Sequence, residues 1–72
     1  MLNQILFMAR AMFDYTKTIL KKVSFDVNLF TKEVIKALNR LLPHEIDELK
    51  LWIESLAKHQ PELQPCLIYL NR

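Results

Sequence analysis

The sequence predicts an all-α fold, a small three-helix bundle with a short apolar C-terminal segment. Three observations carry this. Glycine is absent from all 72 residues, where average usage would place about five. Tight β-hairpins rely on residues with positive φ, glycine foremost. Apolar residues recur at steps of three and four along three stretches, the spacing of one face of a helix. Asp26 in "VSFDVN" and Pro43 in "LLPHE" separate those stretches with ordinary helix-boundary chemistry.

The first helix is expected over about residues 2–22. Leu2, Ile5, Ala9, Met12, Thr16, Ile19 and Val23 form a stripe of period 3.5, and Leu6, Phe13 and Leu20 widen it. Phe7, Met8 and Tyr15 lie further round. That is more apolar surface than one neighbouring helix covers. The second helix is expected over 27–42. Asp26 is suited to be its N-cap, since a carboxylate accepts the free N–H groups of the first turn. Phe25 and Phe30 then occupy the two positions of a hydrophobic staple. Its inner face reads Phe30, Val34, Ala37, Leu38 and Leu41. The third helix is expected over 43–59, because proline disfavours helix at the residue before it and fits the first helical position. Ile46, Leu49, Trp52, Ile53 and Leu56 form its inner face. So short a link predicts an antiparallel hairpin of the second and third helices. The tail, 60–72, contains Pro61, Pro65 and the apolar run "CLIYL". Periodicity does not choose between a last helical turn and an extended arm over so few residues.

A chain of this length forms one domain, residues 1–72. Domains this small bury only about 60% of the surface of the unfolded chain, and usually need a disulfide, a metal or a partner copy. Cys66 is the only cysteine, so no disulfide forms within the chain, and a lone cysteine fits a reducing, cytoplasmic setting. The hydrophobic fraction is 51% and the net charge +2. That charge is too small to argue for nucleic acid by itself. No secretory leader is expected, because Met1–Met8 lacks a basic start and a small-residue cleavage site. Arg10, Asp14 and Lys17 interrupt any apolar window of membrane-spanning length.

The densest ionisable chemistry is His44-Glu45-Ile46-Asp47-Glu48. A zinc protease helix reads H-E-x-x-H, and here the second histidine is Glu48. Zinc needs three or four protein ligands, and only His59 and Cys66 remain to complete a set. The same residues are explained as a helix start. Acidic groups there favour the helix dipole, and Glu45, at the third helical position, can reach back to a free N–H. Cys66 lacks an adjacent base, and glycine-rich phosphate loops are excluded by composition. No enzyme activity, metal or cofactor is expected.

Two resemblances accompany these residues. "ALNRLLPHEIDELKLW", Ala37–Trp52, resembles the entry to the DNA-binding region of sigma-factor-type regulators. In that family a basic recognition helix follows. Here "IESLAKHQPELQPCLIYLNR" follows, with two prolines and few cations, so the likeness stops at the helix start. "MFDYTKTILKKVSFD" resembles short uncharacterised bacterial helical proteins, over Met12 to Trp52, and brings no function with it. It raises Met12 as an alternative start, although the apolar stripe runs unbroken through residues 1–11 and predicts that they fold.

The functional expectation is a non-enzymatic helical module that self-associates, a homodimer first, with an unidentified protein as a further partner. Phe7, Met8, Phe13, Tyr15 and Leu20 are the candidate self-association surface. The alternative is a nucleic-acid-binding accessory protein that uses Lys32, Lys36 and Arg40, at i, i+4 and i+8 on one face of the second helix. Nucleic acid is not the expected partner, and neither is a membrane.

Overall fold

A computed structural model describes the backbone of residues 2–70 and the side chains of residues 10–70. Every element in it is helical: α1 (Leu2–Lys22), α2 (Val27–Arg40), α3 (Pro43–His59) and a 3₁₀-helix, η1 (Pro61–Leu70). The fold is all-α, with four helices rather than three, and the tail is the fourth.

Asp26 starts α2. Its carboxylate accepts the backbone N–H groups of Asn28 (2.9 Å) and Leu29 (3.3 Å), replacing partners that the first turn lacks. The staple does not close. Phe30 is fully buried, whereas Phe25 is 79% exposed. Val23 and Val27, either side of the turn, pack on the core in its place. α2 ends at Arg40, not at 42, because both Leu41 and Leu42 adopt extended backbone. Pro43 imposes that geometry on Leu42, and Leu41 turns its side chain into the core.

η1 is long for a 3₁₀-helix, which seldom exceeds three or four residues. Pro65 has no N–H to donate, and in an α-helix its ring would meet the carbonyl of Pro61. The tighter helix avoids that clash. Its three-residue period places Leu63 and Cys66 on one inward line, and Leu70 closes the far end of the core. A 3₁₀-helix also rises about 2.0 Å per residue, so ten residues span roughly 20 Å instead of the roughly 15 Å of an α-helix.

That reach explains the topology. Gln60 Nε2 donates to the Ser24 carbonyl (3.4 Å), and Thr31 Oγ1 and Cys66 Sγ share a hydrogen bond of 3.0 Å. η1 therefore runs parallel to α2. Gln64 and Leu67 border a cleft with Glu54, Ala57 and Lys58, and Leu70 borders another with Pro43, Ile46 and Asp47. η1 therefore runs back along α3 towards its start. The expected pairing of α2 directly on α3 is thus corrected. η1 lies in the seam and packs against both. α1 packs on α2.

One core joins all four elements: Phe13 and Leu20 from α1, Phe30, Val34 and Ala37 from α2, Leu49, Ile53 and Ala57 from α3, and Leu63, Cys66 and Leu70 from η1. Each fully buried large side chain contributes about 1.5–3 kcal/mol. Leu38 and Trp52, expected in the core, are only half-buried at its edge. Thr16 is buried in α1 and donates its hydroxyl to the Met12 carbonyl (2.8 Å), which satisfies it. The radius of gyration is 12.2 Å and the longest dimension 41 Å, against about 11 Å for an average globule of this length. The elongation fits α1, whose 21 residues span roughly 31 Å.

Candidate interaction surfaces

The HEIDE stretch is the start of α3. Glu45 Oε1 accepts the Leu42 N–H (3.3 Å), while the Glu45 N–H donates to the Leu42 carbonyl (2.9 Å). The carboxylate is only 2% exposed. Its other oxygen lies 3.8 Å from the Arg10 guanidinium, which also meets Glu48 at 2.9 Å. Arg10 is thus a clamp from α1 onto the start of α3, across 35 positions of sequence. The same guanidinium stacks 4.4 Å from the Phe13 ring centroid, with the Lys17 ammonium 5.0 Å from that ring. Long basic side chains cover apolar surface with their stems while their heads stay wet. This is how Phe13, near the edge of the bundle, becomes buried. Glu48 serves Arg10, and His44 is exposed. Among the described residues no group of three His, Cys, Asp or Glu side chains is placed to hold a metal ion.

The candidate self-association surface divides. Phe13 and Leu20 belong to the chain's own core, and that part of the expectation is corrected. The stripe was broad enough to serve two neighbours, and the core shared with the other helices takes both residues. Tyr15 is exposed, with Met12 beside it one turn back. Phe7 and Met8 lie outside the described side chains.

Exposed apolar surface occurs elsewhere. Ile68 is 71% and Leu51 67% exposed, and Phe25, Leu29, Ile35, Leu42 and Tyr69 are also open to solvent. A groove of about 580 Å³ runs between α2 and η1, lined by Asn28, Thr31 and Lys32 on one wall and Pro65, Ile68 and Tyr69 on the other. Sequence reasoning missed it, because it depends on the tail being a helix laid along α2. No family model matches the chain, and no curated protein or solved structure matches it. The surfaces must therefore be judged on their own chemistry.

Lys32, Lys36 and Arg40 are all exposed on α2. Lys36 donates to Glu33 at 3.2 Å, which neutralises part of the stripe. Among the described residues, Lys32 and Glu62 enter no ion pair: the pairs found are Arg10 with Glu45 and Glu48, and Lys36 with Glu33. Cys66 is buried. No helix among the described residues is long and apolar enough to cross a membrane.

Proposed function

We propose that the chain is a non-enzymatic helical interaction module that associates with a second copy of itself, in the cytoplasm. The carrying observation is the amount of hydrocarbon left in water, with Phe25, Leu51 and Ile68 each more than two-thirds exposed. Single exposed apolar side chains are ordinary, but adjoining ones mark contact sites. Here Ile68 and Tyr69 adjoin Pro65 at a groove, and Met12 adjoins Tyr15. A domain of 72 residues gains most from burying such surface, because its own core is small. The lone buried thiol suits a reducing compartment.

The test is molar mass by light scattering over a concentration series. A dimer gives twice the chain mass of 8.6 kDa. A mass of one chain at every concentration up to about 1 mM would end this reading.

A second reading has one supporting observation, the exposed line of Lys32, Lys36 and Arg40. Three phosphate contacts would make log K fall with log salt at a slope of about −2.7. Fluorescence anisotropy with a labelled duplex tests it, and no binding at low salt would dismiss it.

A further inference from the structure

We infer that the groove between α2 and η1 is the seat of that self-association, closed by an antiparallel second copy in which Lys32 of each chain meets Glu62 of the other. This rests on the self-association reading and adds its location and its charge code. In a helix of three residues per turn, positions 62, 65 and 68 fall on one line. Pro65 and Ile68 line the groove, so Glu62 continues the same ridge by one turn. On the opposite wall, Asn28, Thr31 and Lys32 form a ridge that Ile35, also exposed, extends.

The polarity of the two walls follows from their hydrogen bonds. Gln60 stands beside Ser24 and Cys66 beside Thr31, which places Glu62 level with about residue 26. Lys32 is then about 9 Å further along the groove at 1.5 Å per residue. The groove thus carries at one end an anion, and further along a cation, that enter no ion pair among the described residues, with Pro65 between them and Ile68 beyond. Two-fold symmetric interfaces are self-complementary: if residue i meets j, then j meets i. A two-fold axis across the groove between the two charges carries Glu62 onto Lys32 of the partner subunit, and the reverse. It also turns Ile68, the most exposed large apolar side chain of the groove, into the interface. A binder without an acidic group placed opposite Lys32 would leave that charge unpaired as the groove dried.

The experiment uses the full chain and four proteins: wild type, Lys32→Glu, Glu62→Lys and the double variant. Dimer dissociation constants come from sedimentation equilibrium, with circular dichroism confirming helix content. Both side chains are exposed, so the substitutions leave the core alone. Each single variant is expected to weaken the dimer at least tenfold by placing like charges together, and the double variant to recover most of the loss. Ile68→Ser, which reverses no charge, should also weaken it. A single variant with the wild-type constant, or a double variant no better than the weaker single, overturns the assignment. A wild-type chain that stays monomeric removes self-association itself. A wild-type dimer indifferent to Lys32 and Glu62 but disrupted by Tyr15→Glu keeps self-association and moves the interface to α1.

Discussion

Replacing Glu45 by alanine should be the most damaging single change at a charged position. Three losses add. The Leu42 N–H loses its acceptor, a capping loss of about 1 kcal/mol. One buried methylene is deleted, at roughly 0.8 kcal/mol. The pairing with Arg10 is weakened, which counts for no more than about 0.5 kcal/mol because the guanidinium is 50% exposed and keeps Glu48 at 2.9 Å. The expected total is about 2 kcal/mol, or roughly 8–16 °C in melting temperature for a domain of this size. Glu45→Gln keeps the methylenes and an acceptor oxygen, so it should cost about 1 kcal/mol or less. Glu48→Ala, at a half-exposed residue, should cost about 0.5 kcal/mol. Urea unfolding followed by circular dichroism measures all three, at one fixed protein concentration because association shifts apparent stability. If Glu45→Ala costs under 0.5 kcal/mol, the carboxylate is not buried. If Gln costs as much as Ala, charge rather than capping and packing holds the site.

Three further outcomes follow from burial and capping. Phe30→Ala should destabilise by about 3–5 kcal/mol in urea unfolding, as for other buried phenylalanines; a loss under 1 kcal/mol would mean that the faces of α2 and η1 are not sealed. Asp26→Ala should cost about 1 kcal/mol, whereas Phe25→Ala should stay within about 0.5 kcal/mol in the isolated chain; the reverse order in paired melts would restore the staple. Native Cys66 should react with a thiol reagent at least about a hundred times more slowly than in urea, since the sulfur is reached only by local opening; equal rates would place the thiol at the surface.

Helix class and most boundaries were legible because they rest on local chemistry. An N-cap aspartate, a proline at the first turn and apolar spacing need no knowledge of the rest of the chain. What failed was non-local. The stripe on α1 gave its width, yet nothing in it says that Phe13 and Leu20 face the core while Tyr15 faces water. The Arg10 clamp joins residues 35 apart, and no spacing rule links them. Phe25 and Phe30 satisfied a local pattern that the packing of Val23 and Val27 overrode. η1 escaped detection because ten residues with two prolines carry no α-period, and its three-residue repeat, Leu63 to Cys66, is too short to read. The groove followed it out of view, although Lys32 on its wall had been singled out for another role.

The placement of η1 also bears on how the chain is made. Leu63, Cys66 and Leu70 complete the core, so the seam between α2 and α3 stays unfilled until the last of them leaves the ribosome. At about 5–20 residues per second, the ten residues of η1 take roughly 0.5–2 s to synthesise. Helical turns form in under a microsecond, so α1, α2 and α3 are helical well before their shared filler exists. For that interval Phe30, Val34, Leu49 and Ile53 border an open cleft on the nascent chain. Closure therefore waits on the synthesis of η1, and a chain stopped at His59 would carry three helices with no common interior.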